Sequence, residues 1–531
     1  MPNIQTEEDF IRDLALHIRA GYQVIGVITD EDARFLAAVQ QAAEQVTEKL
    51  PEAERPLAVH TWDTLNMFKP GLTTTPPKSA LEAVDQLLDP DLEGSFLSVF
   101  RDMHAVFPNS PALRRQFLDA IQDQALNRTG RVRPIIVQLP TMAKLPDDLS
   151  PHIPLMTMPL PSDRTLQEMT GKIIQQYPQL SNTPAEETFK LAKGARGLPG
   201  HEAQNALFKA ILAAKGINSQ TFSELEDTKS QILEKNDVLT YIPRERIEPE
   251  ENVGDYDELI DFVRRRKLLF TEAAEAEGLD KPKGLILLGV PGAGKSMVGQ
   301  TVARVLDLPL CIFDVSRIFD SLVGSSERRM DFALRTVTSL QGAVLLIDEA
   351  DKAFSGVSQS TNDSGVSRRV FGQLLSWLAA KRDRTFVVMT MNRIDGIPPE
   401  LLRRGRFDEL FFVDLPGPEA RQQILEIHLK KRGIDPTLYA PAMKTLVTAS
   451  NNFVGAELEE VVIASRLLAF EQTGKGVPSL DHLMMCINET TPMATLSPKP
   501  VEEIRKFCKE QQVRPVNRVK KRAVGSRQLA L

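Results

Sequence analysis

Hydrophobic residues along this chain fall into short continuous runs separated by longer stretches of helical period, and the alternation occurs twice. In the first half, "YQVIGVIT" (22–29), "RPLAVHTW" (55–62), "GSFLSVF" (94–100), "RPIIVQL" (133–139) and "IPLMTMPL" (153–160) are apolar enough to be buried strands. Between them lie helical stretches such as "DEDARFLAAVQQAAEQV" (30–46) and a Pro/Thr-rich loop, "KPGLTTTPPK" (69–78). Such alternation predicts a parallel, doubly wound sheet. Residues 163–235 then read as helices only.

The plan repeats after a polar stretch, "NDVLTYIPRERIEPEENVGD" (236–255), which reads as a linker. "GLILLGV" (284–290), "LPLCIFDV" (308–315), "AVLLID" (343–348), "RTFVVMTMN" (384–392) and "DELFFVDL" (408–415) are five more strands, followed by a helical region from about 418 to 490. The expected class is α/β. An α/β domain (1–165) with a helical lid-like region (166–242) precedes an α/β core (243–416), its helical lid (417–500) and a basic tail (501–531).

Composition narrows the options without choosing among them. The 531 residues exceed what one core usually organises. A net charge of -7 argues against a dedicated nucleic-acid coat. Cys311, Cys486 and Cys508 show no metal or disulfide spacing, and reduced thiols in a cytoplasmic protein are expected. No secretory pattern opens the chain, and no apolar run reaches the roughly 20 residues of a membrane span. The tail "RKFCKEQQVRPVNRVKKRAVGSRQLAL" (505–531) has Glu510 as its only acid. It reads as a solvated end, a segment docking on a neighbouring subunit, or a nucleic-acid contact.

Chemistry concentrates in the second half. "GVPGAGKS" (289–296) matches GxxxxGK[ST] and lies between a strand and a helix, the context the motif requires. Gly289, Gly292 and Gly294 let the backbone turn its N–H groups toward a phosphate, and Pro291, Ala293 and the following Met297 complete the loop. Lys295 is placed to reach the β and γ phosphates of ATP, and Ser296 to ligate Mg2+. "AVLLIDEAD" (343–351) drives a strand into the sheet and ends on Asp348, which holds the magnesium, and Glu349, which polarises the attacking water. "DEAD" also spells a helicase motif, but the Ser-Ala-Thr and His-Arg-x-Gly-Arg motifs of those enzymes are missing. Asn392, at the end of "MTMN", is placed to orient water. In "PPELLRRGRFDE" (398–409), Arg403 and Arg406 are candidate arginine fingers for a neighbour's site.

Together, "GVPGAGKS", "LLIDEAD", "MTMNRID", "LLRRGRFDE", "ARQQILEIHL" and "NNFVGAELEEVV" resemble the AAA subfamily of AAA+ ATPases across residues 250–470. "IPLMTMPLP", "GARGL…HEAQNAL" and "LVGSSERRM" carry a narrower resemblance to ATPases of cyanobacteria and plastids named as a hypothetical chloroplast reading frame. The resemblance implies a ring, usually a hexamer, with ATP held between subunits. It implies that His428, Gly455 and Ala456 border the adenine. It also implies a pore loop at Leu322, Val323 and Gly324, where related threading motors carry an aromatic residue; Leu322 keeps the bulk but lacks the flat face.

The first domain reads as a silent counterpart. After its first strand stands "ITDEDARF" (28–35), with no glycine run and no Lys. Thr29 and Asp32 read as a capping pair, and Asp30, Glu31 and Asp32 occupy a helix start that would otherwise face phosphate. "SVFRDMH" (98–104) imitates the acidic strand but sets His104 where Asp-Glu should continue. "HEAQN" (201–205) lacks the second His of a zinc-protease motif. Three functions remain open: a motor that remodels a protein or protein complex, an ATP-switched assembly factor, and a nucleic-acid motor.

Overall fold

The computed structural model describes residues 6–517 except 53–54, 66, 70–76, 90, 123–130, 142, 178–179, 181–182, 236–238, 248–255, 315–325, 353–363, 382, 395–400, 402 and 404. The pore-loop residues Leu322, Val323 and Gly324 therefore lie outside the described residues. The chain divides into two units, Met1–Lys229 and Ser230–Leu531.

The first unit holds strands β1 (Val24–Ile28), β2 (Ala58–Asp63), β3 (Met67–Lys69), β4 (Phe96–Phe100), β5 (Ile135–Leu139) and β6 (Leu155–Thr157). They form one sheet in the order β3-β2-β4-β5-β1-β6, parallel except for β3. Every residue of β4 and β5 is buried, as expected of central strands covered on both faces. One face packs on the helices Glu7–Arg19 and Asp32–Thr47 through Phe10, Leu14, Phe35 and Val39; the other buries Trp62, Phe100, Phe107 and Phe117. The opening helix begins where Thr6 accepts the amide of Asp9, with acids at positions 7–9 at the positive end of the helix. Four helices, Asp163–Gln175, Ala185–Gly194, Gly200–Ala214 and Ser219–Glu234, follow the sheet.

The second unit holds β7 (Leu239–Ile242), β8 (Gly284–Gly289), β9 (Leu310–Phe313), β10 (Val344–Ile347), β11 (Phe386–Met391), β12 (Glu409–Val413) and β13 (Arg514–Pro515), in the order β13-β12-β8-β11-β10-β9-β7. Leaving aside β13, this is the order of the first sheet, down to the antiparallel edge strand: β7 on β9 corresponds to β3 on β2. The repeated pattern in the sequence is thus a repeated order of five parallel strands, while the edge strands are connected differently: β3 follows β2 along the chain and β7 precedes β8.

Two stretches differ from the sequence reading. Part of the supposed linker is strand β7: Leu239 and Tyr241 are buried while Thr240 is exposed, the alternation of an edge strand. The tail is docked as far as residue 517. The helix Pro498–Glu510 buries Val501, Ile504 and Cys508, and β13 adds to β12 with Phe411 beside Arg514. Two of its cations are used locally: Arg505 pairs with Asp414, and Arg514 pairs with Glu258 and lies over the rings of Phe262 and Phe411. No helix among the described residues is long and apolar enough to cross a membrane.

Candidate functional site

Residues 290–294 connect β8 to the helix Lys295–Leu306, and the turn depends on left-handed backbone at Gly292 (φ 75°) and Gly294 (φ 84°). A Cβ on Gly292 would meet Val454 at 2.9 Å, and one on Gly294 would meet the Tyr256 hydroxyl at 3.1 Å. Tyr256 donates that hydroxyl to Ala293 O at 2.9 Å. Val290 packs with Val454 and Val501, so the loop is braced by the lid helix Gly455–Thr473 and by the C-terminal helix.

Lys295 is buried, and its ammonium donates to the carbonyls of Gly289 (2.9 Å) and Val290 (2.7 Å). Burial pushes its pKa down to about 8, against the opposing pull of Asp348, Asp351 and Glu349. Ser296 donates its hydroxyl to Asp348 Oδ2 at 2.6 Å. Asp348 and Glu349 leave the C-terminal end of β10, two strands from β8, and β11 between them brings Asn392 to the same edge. Asn392 donates its backbone N–H to Asp351 Oδ1 (3.2 Å), while its side-chain Oδ1 is buried with no partner. Glu349 is half exposed and ion-paired with Lys352, whose pKa that contact raises.

The hydroxyl of Ser296 and the carboxylate of Asp348 are hard oxygen donors, the kind Mg2+ takes with phosphate and water. At the same end of the sheet, the buried and unpartnered Asn392 Oδ1 is a polar atom that a bound water or phosphate would satisfy. The residues present therefore fit a magnesium-nucleotide.

The lid supplies Gly455 and Ala456 at the start of its helix, where the Ala456 amide donates to Gly292 O at 3.5 Å. Glu457 fixes that start by accepting the amides of Val454 (2.8 Å) and Met493 (2.6 Å). His428 is on a neighbouring lid helix, with Nδ1 3.6 Å from Glu459 and 3.5 Å from Arg432. Arg403 is exposed and Arg406 half-buried, and both precede β12. Because Glu409 pairs with Leu285 and Val413 with Gly289, the two arginines lie at the opposite end of the sheet from this chain's own P-loop, more than about 13 Å along the strands. The fold gathers the P-loop, Asp348, Glu349, Asn392, Gly455 and Ala456 at one edge and leaves the arginines at the other. Tyr256 and Thr390 are also at the site and went unnoticed in the sequence; a hydroxyl inside the apolar run "FVVMTM" was the available signal for Thr390.

In the first unit the same edge is closed by its own side chains. Phe100 lies across Val137 from Gly26, as Ile347 lies across Met389 from Ile286. This register sets Arg101 and Asp102 against Asp348 and Glu349, and Asp102 (φ 62°) shares the left-handed backbone of Glu349 (φ 49°). His104 therefore corresponds to Asp351, not to the acidic pair. Arg101 is ion-paired with Asp63 and Asp32. The loop 29–31 is two residues shorter than 290–294, so its helix starts at Asp32 and the capping pair does not form: Thr29 accepts the Glu31 amide (3.1 Å), and Asp32 accepts from Gln138 (2.6 Å). Glu31 is held by Arg34 (2.8 Å) and by the Gly200 amide (2.7 Å), and burial raises its pKa. Gly200 opens its helix just as Gly455 opens the lid helix.

Residues 285–415 match the ATPase family associated with various cellular activities (AAA), and residues 10–158 match the N-terminal domain of SpoVK-like AAA ATPases. The AAA domain-containing protein ycf46 of Guillardia theta is 31% identical over 512 residues, 95% of this chain and 96% of that protein. Its counterpart in Pyropia yezoensis is 29% identical over 515 residues, 95% of this chain and 99% of that protein. A cell division cycle protein 48 homologue of Archaeoglobus fulgidus is 30% identical over 236 residues, 44% of this chain and 31% of that protein.

Proposed function

This chain belongs to the AAA family of ATPases, with a SpoVK-like domain ahead of its AAA module, and on that footing we propose that it hydrolyses ATP at sites shared between subunits of a ring and uses the turnover to remodel a protein or protein complex. The observation that carries the reading is the split geometry of the second unit: P-loop, acidic pair and unpartnered Asn392 Oδ1 at one sheet edge, Arg403 and Arg406 at the other. An arginine so placed serves a neighbour's phosphate, not its own.

The roles follow from the chemistry of each group. Backbone N–H groups of the loop and the helix start at Lys295 receive the phosphates, and Lys295 exchanges two carbonyl acceptors for phosphate oxygens. Ser296 and Asp348 hold Mg2+, which when bound supplies positive charge to the β and γ phosphates. Asn392 orients the attacking water, Glu349 takes its proton, and a neighbour's Arg403 and Arg406 stabilise charge on the transferring phosphoryl group. His428, Gly455 and Ala456 flank the adenine. The first unit, its phosphate edge closed by ion pairs, is a scaffold or recruits a partner.

Mixing variants tests the shared site. A Glu349→Gln chain keeps its arginines, and an Arg403→Ala/Arg406→Ala chain keeps its base. Each alone is inactive, and in a head-to-tail ring an equal mixture recovers about a quarter of wild-type turnover. Full activity of the arginine variant, or no recovery in rings shown by labelling to be mixed, overturns the reading. One sequence observation favours a second reading, ATP-switched assembly without threading: Leu322 offers no aromatic face. Stimulation of turnover by unfolded protein, lost in Leu322→Ala, supports remodelling. Nucleotide-dependent assembly with unstimulated turnover supports the switch, and stimulation by DNA or RNA would instead mark a nucleic-acid motor.

A further inference from the structure

β11 is buried along its whole length, and Thr390 within it is inaccessible to solvent. A hydroxyl in such a strand is costly unless it is bonded. Thr390 spends both of its bonding roles on the acidic pair: it donates to Asp348 Oδ1 and accepts the amide of Glu349 at 2.9 Å. The register permits this, because Ile347 lies beside Met389 in parallel strands and the next residues, Asp348 and Thr390, stand side by side.

Two consequences follow for the phosphate edge. With Asp348 Oδ1 engaged by Thr390, Oδ2 is the oxygen bonded to Ser296. Glu349 has φ 49°, a conformation that non-glycine residues adopt at a cost. Its amide is held there by Thr390 and, at 3.1 Å, by Asp348 Oδ1. The matching residue of the first unit, Gln138, bonds to Asp32 and to the carbonyl of Thr29, so the hydroxyl arrangement belongs to the second unit alone.

We infer that Thr390 is a positioning residue for ATP hydrolysis: it orients the Asp348 carboxylate toward Ser296 and the metal position, and fixes the peptide from which Glu349 projects. The inference rests on the ATPase reading of this site. It is tested in the full chain with Thr390→Val, which removes the hydroxyl and keeps the shape, and with Thr390→Ser, which restores the hydroxyl. Thr390→Val is expected to lower kcat at least about tenfold with KM for ATP within about twofold, and Thr390→Ser to recover most of the loss. The second readout is binding of a fluorescent ADP analogue against magnesium concentration: Thr390→Val should need about tenfold more magnesium for the same tightening. If Thr390→Val melts early, Thr390→Ala takes its place.

Wild-type turnover and magnesium dependence in the hydroxyl-free variant would overturn the inference. So would a loss that Thr390→Ser does not recover while magnesium dependence stays normal, which would make the hydroxyl a packing device. Glu349→Gln, run in parallel, separates the two levels. If it turns over normally, the ATPase reading of the site fails; if it stalls while Thr390→Val behaves as wild type, only the role of Thr390 fails.

Discussion

Raising the pH from 7 to 9 should weaken nucleotide binding about tenfold through Lys295 alone. The residue is 6% exposed, and burial lowers its pKa from the ordinary 10.5 to about 8. Phosphate binds the ammonium, so apparent affinity follows the charged fraction of the free protein, which falls from about nine in ten at pH 7 to about one in ten at pH 9. The nucleotide's own phosphates are already ionised over this range, since a terminal phosphate titrates near pH 6. Binding at pH 8.5 should therefore take up about three-quarters of a proton, readable by calorimetry of ADP in buffers of different ionisation enthalpy. Lys295→Arg, which does not titrate, should flatten the profile. The folded state carries the opposite sign. A lysine whose pKa is lowered by folding penalises the fold fully below about pH 8, and the penalty, about 3 kcal/mol, disappears as pH rises toward 10.5. Without nucleotide, Lys295→Met should thus be more stable than wild type at pH 7, and the advantage should fade between pH 8 and 10.5. A flat ADP affinity from pH 7 to 9, or proton release on binding, would refute the reasoning.

Other perturbations act on single features. Glu349→Gln should retain nucleotide and lose about 10²- to 10⁴-fold in turnover, measured by phosphate release. Gly292→Ala puts a Cβ into left-handed backbone against Val454 and should cost about 1–2 kcal/mol in the loop; nucleotide titration should show about tenfold weaker binding. Glu31→Ala removes the acceptor for Arg34 and for the Gly200 amide. It should destabilise the first unit by about 1–3 kcal/mol in urea melts and speed hydrogen exchange at the start of the helix Gly200–Ala214. Arg514→Ala should cost more than Arg505→Ala, about 1–3 against under about 1 kcal/mol, because Arg514 also covers two aromatic rings while Arg505 is a surface pair; equal melting temperatures for the two would contradict this.

The central strands of both sheets were legible because a strand buried on both faces must be apolar along its whole length, as "GLILLG" and "FVVMTM" are. The P-loop was legible because phosphate chemistry demands glycines, Lys and Ser at set spacing. Edge elements were harder to find. β3 and β7 carry only three and four residues, and half-buried edge strands offer no continuous run. The docked part of the tail was hidden by its charge, since Arg505 and Arg514 look solvated until Asp414 and Glu258 appear beside them. His104 was set in the wrong place because only the pairing of β4 with β5 fixes where the strand ends.

The sequence by itself determined the doubled α/β plan, the phosphate-binding loop, the acidic pair and the absence of those motifs from the first domain. These depend on residue type at short spacing, which the linear chain carries. The tertiary structure decided which end of the sheet each group occupies, and so set Arg403 and Arg406 apart from the P-loop. It also decided that Thr390 stands beside Asp348, and that Glu31 joins the start of the first unit's second helix to Gly200. Those relations join residues 40 to 170 positions apart. They follow from strand order and register, which arise only when the sheets assemble.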